Sequence, residues 1–401
     1  MTTVLRILTY HGIPIWRNVQ FIQWASQIAS GVLVVVLVSW FLANIGNAIQ
    51  ERDIPYGFSF LSRQYQTPIG QHFLPYQSSN SFLYAFFVAA TNTIVVSIVG
   101  VILATALGIL VGISRMSGNW ILAKAALVYV EFFRNVPLLI HLFFWFYSVL
   151  AAAPVRETFI IAQRVYINNA GLSLPWPSPS SLGVAATWGI VAVVAVIIGW
   201  AVHRRMTQRE SDTGAASYPL AMGGAVTVVI GAIAWLVLSV VNGEAPFLIS
   251  QPEPQGAFGR ISGGFTASGG LMALLVGLVT YTSSLIAEIV RSGVQSVGRG
   301  QTEAARAVGL SAMSTLRHIT FPQAMRVIEP PLISQYLNLT KNSSLAGAIG
   351  YADLTNVAKT MTQTAPAVSI FIMIMATYLA MSPTFSLIGN LYNRQIRFTQ
   401  S

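Results

Sequence analysis

Long apolar runs bounded by charged residues recur along the chain. Eight of them approach the ~20 residues a helix needs to cross a hydrocarbon layer. They cover 22–49, 84–113, 136–153, 182–202, 218–241, 269–290, 331–349 and 366–391. The third opens at Pro137, and the fourth and fifth are parted by the polar stretch His203-Arg204-Arg205-Met206-Thr207-Gln208-Arg209. The first run stands where a signal peptide would, but it has no small-residue cleavage site and exceeds the ~7–15 residue apolar region of such peptides. It is read as a retained span. Segments 154–181 and 242–268 are rich in proline, glycine and serine, which predicts ordered external connectors without helices. The stretch 57–71 alternates aromatic and polar residues, is too short to span, and is expected to lie along the outer membrane surface.

Composition agrees with the pattern. Of 401 residues 54% are hydrophobic and only 8% charged, against about 25% charged in soluble domains, so the chain lacks the polar surface to cover itself in water. The absence of cysteine excludes disulfides, thiolate metal sites and cysteine catalysis. A net charge of +10 would suggest a nucleic-acid partner if the basic groups formed a patch. They do not, because they alternate with the spans. Arg6, Arg17, Arg115, Lys124, Arg134, Arg204, Arg205, Arg209, Arg291, Arg299, Arg306, Arg317, Arg326, Arg394 and Arg397 fall on one side. Arg52, Arg63, Arg156, Arg164, Arg260 and Lys359 fall on the other, roughly balanced there by acids. Basic short loops stay in the cytoplasm, so both termini are expected inside. The charge orients the chain in lipid; no nucleic-acid partner is implied. His11, His72, His141, His203 and His318 show no metal-ligand spacing, and no metal or cofactor is expected.

The inside loop after the sixth run is the most informative segment. In Gly300-Gln-Thr-Glu-Ala-Ala-Arg-Ala-Val-Gly309, Thr302 is placed to cap a short helix whose first turn holds Glu303. Gly309 is suited to the left-handed conformation that stops it, Ser311 opens a second helix, and Pro322 breaks that one. Two short helices would make a protruding knob, and Ala304, Ala305 and Ala307 leave one face with little bulk for another protein to approach.

The spacing Glu303-Ala304-Ala305, Gly309, Ile319 and Pro322, with Arg306 among them, resembles the cytoplasmic coupling loop of ATP-binding-cassette (ABC) importer permeases. Tyr129-Val-Glu-Phe-Phe-Arg-Asn-Val-Pro-Leu-Leu139 and Tyr336-Leu-Asn-Leu-Thr-Lys-Asn-Ser-Ser-Leu345 narrow the resemblance to the polar amino-acid group that serves histidine, glutamate, glutamine, arginine and opines. It is closest to the long permeases of general L-amino-acid importers in alpha-proteobacteria and cyanobacteria, which share the Phe58-Ser-Phe-Leu-Ser62 type of segment. The resemblance implies an all-α, polytopic membrane protein of about eight transmembrane helices with a type I importer (MetI-like) core. The core would be split into 81–153 and 269–401, with 1–80 and 154–268 as additions and the coupling loop at 291–330. It also implies a non-enzymatic subunit of the bacterial inner membrane. Its partners would be two ATPase subunits, a second and related permease, a periplasmic solute-binding protein and an amino-acid substrate. No Gly-x-x-x-x-Gly-Lys-Ser/Thr motif occurs, so the energy must come from another subunit. The alternative is an ion-coupled secondary carrier, a class that tends to show inverted repeats and buried mid-span acids.

In the second run Gly100, Ala104, Gly108 and Gly112 form a small-residue stripe, suited equally to a permease–permease interface or to packing within the chain. The seventh run is interrupted by Asn338, Thr340, Lys341, Asn342, Ser343 and Ser344. A broken helix there offers backbone groups to a zwitterion, and Lys341 suits a carboxylate, a lipid headgroup or a partner subunit. Glu288 is spaced to pair with Arg291 or to meet a substrate ammonium group. Glu131 and Arg134 are spaced as a structural pair.

Overall fold

The computed structural model describes residues 9–10, 13–14, 19–149, 158–162, 164–168, 171–214, 218–255 and 260–398. Residues 150–153 of the third expected span, and Arg6, His11, Arg17 and Arg156, lie outside the described residues. The chain is predominantly helical. Helices α1 (Val19–Glu51), α2 (Phe82–Arg115), α5 (Leu182–Thr213), α6 (Pro219–Asn242) and α7 (Gly269–Gln295) are each long and apolar enough to cross a membrane. A further apolar helix pair, which makes a sixth span only if its two halves are taken together, is bent. Helix α3 (Trp120–Asn135) meets α4 (Leu138–Phe144) and its continuation at 104°. Pro137 explains the bend, since it holds Val136 extended (φ −99°, ψ 132°) and offers no N–H to continue the ladder. Sequence reading missed α3, although Asn119 caps it by accepting from the N–H groups of Ile121 and Leu122. The pair Arg134–Glu131 forms at 3.5 Å just before the bend.

The other two expected spans are helical but are not among the helices long and apolar enough to cross, so the described residues hold five such helices, or six with the bent pair, where eight were expected. Residues 331–349 belong to α10 (Phe321–Asn342) and a tighter 3₁₀ turn Ser343–Ile349, and 366–391 to α12 (Ala367–Phe398). Helix α11 (Leu354–Met361) lies between them.

The core forms around α2 and α7. Buried positions Ala85, Ala89, Val96, Gly100, Ala104, Gly108 and Gly112 run down one face of α2, the spacing of a helix stripe. A Cβ added at Gly108 would fall 2.6 Å from Ile286 Cγ2, and one at Gly112 would fall 2.9 Å from the Ala287 carbonyl oxygen. At Gly100 the neighbour is Leu339 of α10. The stripe therefore packs within the chain, which decides between the two readings that spacing left open. By contrast α1 and α6 bury none of their apolar stretch and α5 only 11%, against 56% for α7. These three helices thus leave most of their apolar surface uncovered by the rest of the chain.

Beyond the end of α6, the described residues of the connectors 154–181 and 242–268 hold no helix, as expected, and they are ordered as strands. Strands β1 (Phe159–Ile161), β2 (Val165–Asn168), β3 (Gly171–Leu174) and β6 (Phe265–Ser268) form one antiparallel sheet, while β4 (Trp176–Pro179) pairs with β5 (Phe247–Ser250). Each loop supplies the backbone partners of the other, so the α5–α6 hairpin leaves the core and returns through paired strands. In the stretch 57–71 Phe58 is exposed, while other apolar side chains turn into the chain. Phe60, Tyr65 and Ile69 are buried in a cluster with Phe82, Phe86 and Leu354, with Phe60 edge-on to Phe82 at 5.4 Å, because apolar partners from α2 and α11 are available there.

Candidate functional site: the coupling loop and the polar end of helix α10

The loop after α7 begins with α8 (Arg299–Ala307). Its N-cap is Gly298, not Thr302. The Thr302 hydroxyl sits inside the helix and donates to the Arg299 carbonyl at 2.7 Å, the back-bonding of an interior threonine. Glu303 consequently lies beyond the first turn, and the favourable dipole argument for it falls away. The stop is as expected. Gly309 has φ +80°, its N–H donates to the Arg306 carbonyl at 3.0 Å, and that of Leu310 to Ala305 at 3.0 Å.

Ser311 caps the next helix, α9 (Ala312–Thr315), by accepting from the Ser314 N–H at 3.2 Å. Pro322 does not end it. A wide π turn, Leu316–Thr320, intervenes, and α10 continues from Phe321. The carbonyl that a proline ring at 322 would strike in a regular helix belongs to His318, inside that turn, so the widening accommodates the ring. The loop is therefore one short helix plus the leading end of a long one. Gln323 Nε2 donates to Gln301 Oε1 across them at 3.4 Å.

The exposed surface of this unit carries Glu303, Ala304, Arg306 and Gly309, while Ala305 is buried and Ile319 half-buried. Val308 (77% exposed) and Met313 (71%) stand beside them. Sequence reading did not select these two; an apolar residue on either side of a stop glycine was the available signal.

At the other end of α10, Asn338 and Lys341 are exposed one turn apart, Asn342 is half-buried, and Ser343 is buried. The hydroxyls of Ser343 and Ser344 donate to Thr340 and Lys341 carbonyls, each at 2.7 Å. The helix is not interrupted at these polar residues. It tightens into the 3₁₀ turn that Gly350 closes with φ +72°.

Glu288 lies elsewhere. Its carboxylate accepts from the Arg115 guanidinium of α2 and, at 2.6 Å, from Arg291. The neighbouring Ala287 packs at Gly112, whereas Leu339, beside Asn338, packs at Gly100. Those glycines are twelve residues apart on α2, or about 18 Å at ~1.5 Å per residue. The structure thus separates the polar candidates into two levels, with Asn338 and Lys341 at one and Glu288 at the other. A cavity of about 590 Å³ between α5 and α6, walled by Trp188 and Trp235, is apolar apart from Thr227 and contains none of these residues. Among the described residues no group of His, Cys, Asp or Glu is arranged to hold a metal ion.

A short helix is slung between the long helices α7 and α10. The chain belongs to the family described as binding-protein-dependent transport system inner membrane component, whose model matches residues 226–398. It is a permease subunit of the ABC class, not an enzyme, and the ion-coupled carrier alternative is thereby set aside. Over 98% of its length, and 98% of the relative's, it is 36% identical to YhdX, an amino-acid ABC transporter permease protein of Escherichia coli (strain K12). It is 37% identical to AapQ, a general L-amino acid transport system permease protein of Rhizobium johnstonii, over 93% of this chain and 92% of that one. BztB, the glutamate/glutamine/aspartate/asparagine transport system permease protein of Rhodobacter capsulatus, is 33% identical, with 93% of each chain covered. A crystal structure of an amino acid ABC transporter with histidines superposes with a TM-score of 0.45 and 19% identity, covering 78% of this chain and 95% of that one.

Proposed function

We propose that this chain moves amino acids across the bacterial inner membrane by alternating access, with both termini and the loop 291–330 in the cytoplasm. Likeness over nearly the whole chain to permeases that carry amino acids in their names is the observation that supports the substrate class. Of two ATPase subunits in the complex, one docks on this loop through Glu303, Ala304, Arg306, Gly309 and Pro322, with Ala305 and Ile319 packed behind them, and Val308 and Met313 supply the apolar contact. A second, related permease completes the pathway, and a periplasmic binding protein delivers the solute. Lys341 receives the substrate carboxylate, with Asn338 and Asn342 donating beside it. Ser343 and Ser344 shape the turn that presents them. Glu288, about 18 Å away along α2 at ~1.5 Å per residue, is too far to share that substrate and meets an ammonium group only at a second, inner position on the path, once a guanidinium releases it. The test is uptake of radiolabelled L-amino acids into proteoliposomes holding the assembled complex, with active or inactivated ATPase. Uptake that stops with the ATPase fits the reading; uptake driven by an ion gradient alone overturns it.

A further inference from the structure

We propose that Arg115 is a positioning residue for energy coupling, locking the inner end of α2 to α7 so that both helices move as one body with the coupling helix. The inference rests on the ATPase-driven reading above. Three observations carry it. First, Gly108 and Gly112 let α2 approach α7 to backbone contact, and Arg115, three residues on, thereby reaches the Glu288 carboxylate. Second, the Arg115 side chain is only 11% exposed, so a guanidinium without that carboxylate would be a poorly solvated charge. Third, the chain of polar contacts continues toward the coupling helix. Glu288 also accepts from Arg291, and Arg291 Nη1 donates to Gln295 Oε1 at 2.7 Å. Gln295 is the last residue of α7, and α8 follows after the short turn 296–298.

Glu288 thus offers one negative charge to two guanidiniums, and its two oxygens are divided between them. If α2 lost its hold, a push on α8 would move the end of α7 and Ile328 of α10, packed at Gly293, without carrying α2 along with them. A displacement of the coupling helix passes into the bundle only if the elements it pushes are tied, and a two-helix tie biased at one end is such a device.

Two measurements test this. The chain has no native cysteine, and a Cβ at Gly118 or Gly300 meets nothing within 4 Å. Spin labels on Gly118→Cys and Gly300→Cys therefore report the distance between the end of α2 and the coupling helix without disturbing either. In the wild-type complex this distance should stay fixed when ATP binds, and in Arg115→Gln it should shift or broaden. This readout needs no substrate, so it stands even if the amino-acid assignment fails. An unchanged distance in Arg115→Gln overturns the proposal. In proteoliposomes supplied with radiolabelled L-amino acids, Arg115→Gln should move about tenfold less solute per ATP hydrolysed, and Arg115→Lys should recover part of the loss. Equal loss of hydrolysis and transport in an assembled Arg115→Gln complex overturns it. If that variant does not assemble, the exchange Arg115→Glu with Glu288→Arg restores the pairing. Fixed label distance on ATP binding in the exchanged protein supports the proposal, and a mobile one overturns it.

Discussion

Gly112 carries no side chain because the Ala287 carbonyl and Val290 occupy the space where one would begin, at 2.9 and 3.0 Å. Gly112→Val should therefore force α2 from α7, costing about 1–3 kcal/mol as overpacked sites do and loosening the Arg115–Glu288 pair. A lowered melting temperature in detergent checks it, and a melt equal to wild type would contradict the packing described. Asp353 is a second residue whose environment decides its chemistry. It is fully buried and caps α11, accepting from Asn356 N–H at 2.9 Å and Thr355 N–H at 3.0 Å. Burial nevertheless raises its pKa from 3.8 to about 6, the backbone donors only partly opposing. Because the folded form holds this proton more tightly than the unfolded chain, the contribution of Asp353 to stability is fully present below about pH 4 and is lost as pH rises through 6. Asp353→Asn keeps a capping oxygen and should abolish that decline. Melting curves from pH 4 to 7 will show it, and an unchanged slope would remove Asp353 as the cause. The polar types of Asn338, Lys341 and Glu288 were legible in the chain, but their separation was not. Only the glycines that set the level of each helix along α2 reveal it.

Among the elements, the coupling loop was read most fully. Its stop glycine and the Ser311 cap follow from local backbone chemistry, and the structure has both. The misplaced start and the supposed break at Pro322 share a cause. Threonine and proline are strong local signals, yet an interior threonine satisfies itself on the preceding turn and a π turn absorbs a proline when flanking helices are held by the bundle. Glu303→Lys or Gly309→Pro should leave the protein inserted while uptake per ATP falls by about tenfold or more, the proline by breaking the Gly309 stop, whose φ of +80° it cannot adopt. Normal ATP-driven uptake in both would discharge the loop from its proposed role. Helix α3 was hidden for a different reason: its Lys124 and Arg134 read as loop charge, although on a helix they flank the apolar positions Ala126 and Val130 that pack inward.

At the scale of the molecule, the α5–α6 hairpin joins the rest of the chain through paired strands. Pro179 pairs directly with Phe247 in the β4–β5 ladder, so the two chain ends at its base already face one another. Excising 180–246 and joining the strands by an Asn-Gly turn should give a protein that inserts and melts within a few degrees of wild type. Failure to fold would mean that the hairpin stabilises the core. By itself the sequence determined the membrane class, the number and order of apolar runs, and the family resemblance, because each depends on residues near one another in the chain. Tertiary structure decided which small-residue stripe packs inward, which loops become sheet, where span three bends, and that Glu288 is held by two arginines. These outcomes depend on which distant segment is available as a partner, and periodicity along one chain contains no information about that.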